Sequence, residues 1–156
     1  MDNNLFNHID INKDNTFIPN GMIDDVINPS YYDDLIDSYG GIDLQILGLG
    51  SDGHIGFNEP YTPFDSLTHI TSLTNETISD NSRFFPSIEL VPTKAITMGL
   101  KTIMKAKRII LMVYGKNKEE AINNFFNNEI NIKLPCSILK THPNLLICIE
   151  DSISLK

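Results

Sequence analysis

Apolar and polar positions alternate along the chain in short blocks whose period switches between two and about 3.6 residues, the two spacings that distinguish strands from helices. Ile42-Asp43-Leu44-Gln45-Ile46-Leu47 is a β-rich run that ends in glycines. Residues 68–73 alternate as an extended segment, 95–98 suit a short buried strand, 108–113 a second strong strand and 145–149 a third. Helical spacing appears between them. Tyr32, Leu35, Ile36 and Tyr39 recur on one face behind Pro29 and Ser30, and Gly40-Gly41 ends that helix. Thr74-Asn75-Glu76-Thr77 resembles a helix start with acid in its first turn, predicting a short helix to about Arg83. Residues 100–106 predict another short helix, and 119–128 an amphipathic one with Ala121, Ile122, Phe125 and Phe126 on its inner face. Residues 5–19 are irregular and hold one short strand candidate around Phe17-Ile18 before an Asn20-Gly21 turn, like an arm leading into a domain. Strands alternating with helices predict an α/β fold, a Rossmann-like three-layer α/β/α arrangement around a mostly parallel sheet covered on both faces.

Composition narrows the class. With 156 residues, 41% hydrophobic and 21% charged, the chain suits one globular domain with a core, and no repeat or linker divides it. No apolar run is long enough to span a membrane and Met1-Asp2-Asn3-Asn4 lacks secretory character, so a cytoplasmic location and no membrane partner are expected. Cys136 and Cys148 have neither zinc-site spacing nor histidine company and are expected as reduced core or near-core thiols. A formal charge of −8 argues against a nucleic-acid partner. It also opposes anions at long range, so any anion site must be built locally from a few positioned cations and backbone amides.

The richest chemistry follows the strand at 42–47, in Gly48-Leu49-Gly50-Ser51-Asp52-Gly53-His54-Ile55-Gly56-Phe57-Asn58-Glu59-Pro60. The carboxyl end of a strand is where open α/β sheets bind ligands, and the glycines permit tight turning and close approach. Gly48-x-Gly50 leads into Asp-Gly-His and lacks the third glycine and helix of a dinucleotide fingerprint, so no such cofactor is expected. A histidine with two carboxylates nearby can be held in one tautomer and made a better base, which suits proton transfer near neutral pH. Turn chemistry alone would explain an isolated Asp52-Gly53, with His54 packed or solvated and Glu59 on the surface. The surrounding residues tip the balance toward function.

This segment resembles the signature loop of the glucosamine-6-phosphate deaminase (isomerase) family, Gly-x-Gly-x-Asp/Asn-Gly-His-Ile-Ala/Gly-Phe-Asn-Glu-Pro. The resemblance continues in order through Asn81-Ser82-Arg83-Phe84-Phe85, Val91-Pro92, Ala95-Ile96-Thr97-Met98-Gly99, Ala106-Lys107-Arg108-Ile109-Ile110-Leu111, Gly115-Lys116-Asn117-Lys118 and His142-Pro143. The sister 6-phosphogluconolactonase family shares Asp-Gly-His but usually continues Thr-Ala-Ser-Leu-Phe-Pro. Residues 55–60 read as the deaminase form.

The resemblance implies conversion of glucosamine 6-phosphate and water to fructose 6-phosphate and ammonia, by ring opening and proton transfers between C1 and C2. It implies His54 as the ring-opening acid or base, Asp52 and Glu59 as the groups that orient and polarise it, and Arg83 and Lys118 as phosphate ligands. Taken singly, Arg83 has the alternative of a surface ion pair and Lys118 reads rather as a solvated cation at a helix start; the register of the whole match turns both toward phosphate. No cofactor is implied, nor a metal, since the proton transfers need no Lewis acid and no clustered ligands are evident. The expected partner is a small sugar phosphate, and closed homo-oligomers are common in the family. Allosteric members carry basic residues where this chain has His69 and Thr71, so activation by N-acetylglucosamine 6-phosphate is not expected.

The family ordinarily begins with a strand, a Gly-Gly-Thr/Ser phosphate loop and an Asp-Glu-Tyr motif whose Asp takes the C2 proton; none of these occurs here. The expectation is therefore a single incomplete domain over 1–156, lacking N-terminal strands, with bare apolar sheet surface and no turnover on its own. A lactonase-like hydrolase and a catalytically dead sugar-phosphate binding module are the alternative readings.

Overall fold

A computed structural model of the chain describes residues 1–21 and 28–156. In chain order, α1 (Tyr31–Ser38), β1 (Gln45–Gly48), β2 (His69–Ser72), α2 (Asn75–Asn81), β3 (Lys94–Thr97), α3 (Leu100–Met104), β4 (Ile109–Val113), α4 (Glu119–Asn127) and β5 (Leu145–Ile149) form the framework. These follow the elements expected from periodicity, with bounds shifted by a few residues. One short 3-10 turn, Ser82–Phe84, extends α2 past Arg83.

The sheet is parallel in the order β1-β4-β5, with Gln45 opposite Ile109 and Ile109 opposite Leu145. The α/β class with a mostly parallel sheet is thus observed. β2 and β3 do not join it; they pair with each other, antiparallel, His69 opposite Thr97 and Ser72 opposite Lys94. Phe17-Ile18 forms no strand, contrary to expectation. No neighbouring strand accepts it, and the arm is held by side chains: the Phe17 ring packs 4.7 Å from that of Tyr39, and the Tyr32 hydroxyl donates to the Phe17 carbonyl at 3.1 Å.

Alternation along the parallel strands sorts their side chains onto two faces. Leu47, Ile109, Leu111 and Val113 are buried on one face. They form the core with Leu100 and Ile103 of α3, Ala121, Ile122 and Phe125 of α4, and Cys136 and Leu139 of the 3-10 segment Pro135–Thr141. The opposite face carries Ile46, Met112 and Leu146, all exposed, and the exposed thiol of Cys148. Parallel sheets ordinarily bury both faces; among the described residues only one is covered, which departs from the sheet covered on both faces that the alternation of strands and helices predicts. Cys148 corrects the reading of both thiols as core or near-core. It sits in register with Met112 and therefore shares the open face. Phe126 is a second correction: it is 47% exposed, because the 100° step from Phe125 carries it off the buried stripe.

α1 is fastened by a buried carboxylate. Asp33 accepts from the Thr68 amide at 2.9 Å and from the Thr102 hydroxyl, joining α1 to the entrance of β2 and to α3. No helix among the described residues is long and apolar enough to cross a membrane.

Candidate active site

β1 ends at Gly48 and the chain turns immediately into the loop 49–60. Gly53 adopts φ +85°, a conformation that side-chain-bearing residues avoid, and its carbonyl accepts from the Cys136 amide at 2.9 Å. This pins the loop to the core. The Gly50 amide donates to the His54 carbonyl at 2.9 Å, so the loop closes on itself around Asp52.

Asp52 Oδ1 accepts twice from the same residue, from the His54 amide at 3.1 Å and from His54 Nδ1 at 2.7 Å. An ionised carboxylate only accepts, so Nδ1 carries the hydrogen and Nε2 is left as the nitrogen that can exchange protons with a ligand. Glu59 Oε2 lies 3.5 Å from the same Nδ1. Burial disfavours the charged imidazole, but the Asp52 hydrogen bond and the charges of Asp52 and Glu59 outweigh it, even against Lys118, and the His54 pKa is raised above 6.5. Burial likewise works against the Asp52 carboxylate, and its bonds to His54 overcome that, lowering it to about 2.

Glu59 is not a surface residue: it is 6% exposed. Its Oε1 accepts from the Thr74 amide at 3.3 Å, which ties the loop to the residue that caps α2. Asn58 beside it is fully buried and donates to the carbonyls of Ile55 and Met98 at 2.9 and 2.8 Å. The first is a local turn bond, and the second, forty residues away in sequence, holds the loop against the end of β3.

Arg83 and Lys118 come to the same place from different elements. Arg83 lies in the turn after α2, with its guanidinium 4.8 Å from the centroid of the Phe84 ring. Lys118 follows the carboxyl end of β4 through Gly115, whose amide donates to Glu150 at 2.7 Å. Together with Gly48, Gly50, His54 and Asp80 they line a pocket of about 300 Å³. Each of the five residues expected from sequence is thus at this site: His54, Arg83 and Lys118 on the wall, Asp52 and Glu59 directly behind the histidine. A larger depression of about 510 Å³ is lined by Ser51, Asp52, Glu76, Glu120 and Glu129. Its acidic wall suits an anion poorly, and His54 is not part of it.

The arrangement can hold an anion at one end and move a proton at the other, with the proton carrier oriented from behind. Contrary to the sequence expectation, clustered metal-type donors are present: one ligand atom each of Asp52, His54 and Glu59 lie within 4.8 Å of one another. Sequence spacing alone conceals this, because Glu59 reaches back across a five-residue bend.

Known proteins carry the same arrangement of sequence. The family described as Glucosamine-6-phosphate isomerases/6-phosphogluconolactonase matches residues 1–147. The chain belongs to this family. Within it, the chain is 54% identical over 156 residues to a glucosamine-6-phosphate deaminase of Mycoplasma mycoides subsp. mycoides SC and 52% identical over 157 residues to one of Clostridium novyi. It is covered completely in both comparisons and spans 63% and 65% of those relatives' lengths. The solved structure of a monomeric glucosamine-6-phosphate deaminase superposes with a TM-score of 0.93 at 44% identity, covering 97% of this chain and 63% of that one. A 6-phosphogluconolactonase from Trypanosoma brucei shares the fold at a TM-score of 0.56 and 17% identity.

One residue that sequence reasoning passed over lines the pocket, and a second braces it from the neighbouring depression. Asp80 lines the pocket and lies 3.6 Å from Lys118. Ser51 donates to Glu76 at 2.7 Å and approaches Asp80 at 3.2 Å. The i, i+4 spacing of Glu76 and Asp80 places both on one face of α2, but nothing in the linear order says that this face meets Ser51 and Lys118.

Proposed function

We propose that this chain carries the ring-opening and phosphate-binding portion of a glucosamine-6-phosphate deaminase, which converts glucosamine 6-phosphate and water to fructose 6-phosphate and ammonia. The observation that supports it is the sharing of one 300 Å³ pocket by His54, held through Nδ1 by Asp52, and by the cations Arg83 and Lys118.

In this reading Arg83 and Lys118 grip the phosphate, the guanidinium by paired hydrogen bonds and the ammonium as a point charge. That leaves the sugar ring toward His54. Neutral Nε2 takes the proton of the anomeric hydroxyl and the resulting imidazolium returns one to the ring oxygen, so the ring opens with no net change in protonation. Asp52 and Glu59 stabilise the imidazolium while it exists. Amine departure also needs proton transfer at C2. The five residues supply no second base for it, and the complete reaction belongs to a protein of the relatives' length. The reading includes no activation by N-acetylglucosamine 6-phosphate, because His69 and Thr71 stand where allosteric relatives carry basic residues. A cytoplasmic setting and a small sugar phosphate as ligand complete the proposal.

The test is calorimetric titration of the chain with fructose 6-phosphate, alongside an assay for ammonia release from glucosamine 6-phosphate. Binding is expected, weakened about 10- to 100-fold by Arg83→Ala or Lys118→Met, the range for one lost charge-assisted hydrogen bond. Absence of binding, or binding indifferent to both substitutions, would overturn the reading. Any ammonia release should vanish with His54→Ala, whereas hydrolysis of 6-phosphogluconolactone would move the chain to the sister activity.

A further inference from the structure

We infer that Asp80 is a positioning residue that clasps Lys118 across the mouth of the pocket, and that an incoming phosphate must displace it. The inference rests on the reading of Lys118 as a phosphate ligand. Lys118 Nζ lies 3.6 Å from Asp80 Oδ2, and both side chains line the pocket with His54 and Arg83. The Lys118 side chain is only 15% exposed, so its stem is packed and its ammonium has few places to rest. Asp80 decides which of these it occupies.

The carboxylate is itself poorly served by other donors. The Ser51 hydroxyl has one hydrogen for two acceptors, and it lies closer to Glu76, at 2.7 Å, than to Asp80, at 3.2 Å. Lys118 is the cation that faces Asp80, at 3.6 Å. Asp80 is 43% exposed at its side chain, so the pair is partly solvated and of the kind that contributes little energy. A phosphate monoester carries up to two negative charges and three acceptor oxygens. Such a ligand outcompetes a single solvated carboxylate for the ammonium, but its affinity is reduced by the pair it must break. In a chain of net charge −8, the clasp also keeps the pocket from presenting an uncompensated lysine to weaker anions. Asp80 thus sets how tightly, and how selectively, the site takes a phosphate.

Inorganic phosphate titrated into the chain by calorimetry tests this. Asp80→Asn should bind phosphate about fivefold tighter, and in a Lys118→Met background the same substitution should change affinity by less than about twofold. Asp80→Glu keeps the charge and should retain the weaker affinity. Asp80 lies near the carboxyl end of α2, where neutralising an acid does not weaken the helix. Unchanged or weaker binding by Asp80→Asn, an equal gain with Lys118 removed, or no phosphate binding by either protein would overturn the clasp. Inorganic phosphate has no sugar, so a chain that shows the clasp yet ignores fructose 6-phosphate refutes the proposed function alone.

Discussion

Gly50 and His54 occupy adjoining space: a Cβ at position 50 would fall 2.3 Å from His54 Nδ1, the nitrogen bonded to Asp52. That approach is closer than any real side-chain contact, and the ring is fixed from the other side by Asp52 and Glu59. Glycine is required here for space, not for backbone conformation.

Gly50→Ala is therefore expected to push the imidazole off Asp52. The His54 titration followed by proton NMR should fall back toward 6.5, and any ammonia release should drop by about 10²-fold or more, as for loss of a general acid–base group. A His54 midpoint unchanged in the variant would show that the loop absorbs the methyl group.

The Asp52–His54 pair makes stability depend on pH in a stated direction. His54 binds its proton more tightly in the folded state, so its contribution is complete below 6.5 and fades as pH rises through the raised native value. Asp52, lowered from 3.8 to about 2, contributes above 3.8 and loses that contribution as pH falls toward 2. Urea midpoints should thus show the pair's full effect between these limits. In Asp52→Asn the His54 midpoint should move down and the decline in stability above pH 6.5 should flatten; a parallel profile would mean that the pair contributes no linkage.

Asp33 is expected to matter for folding and not for chemistry. It is buried, and removing it orphans the Thr68 amide and the Thr102 hydroxyl. Asp33→Ala should cost about 2–6 kcal/mol in urea denaturation, from two unsatisfied donors at about 1–3 kcal/mol each. Thr102→Val, which leaves Asp33 its amide donor, should cost less.

The two thiols should separate cleanly. Cys148 is exposed on the open sheet face, whereas Cys136 is fully buried and burial pushes its thiol up to about 12, leaving little of the reactive thiolate. A thiol reagent added to the folded chain should label one cysteine at once and the second only after denaturant. Mass mapping should place the first label on Cys148, and rapid labelling of both would show that the core around Cys136 opens readily.

Much of this protein was legible in its sequence because the deciding forces act between near neighbours. The strand before Gly48 and the helices at 31–38 and 119–127 follow from local periodicity and stop signals, and Asp52 reaches His54 across two residues. The site residues Arg83 and Lys118 were legible through family register, not through any physical signal of their own. Tertiary packing alone decided that β2 and β3 pair with each other, that one sheet face stays bare with Cys148 on it, that Glu59 turns inward to Thr74, and that Asp80 meets Lys118. Each of these joins segments whose separation along the chain carries no local energetic trace. Which of several compatible partners a strand edge or a carboxylate finds is set by the whole fold's packing, and that exists only once the core has formed.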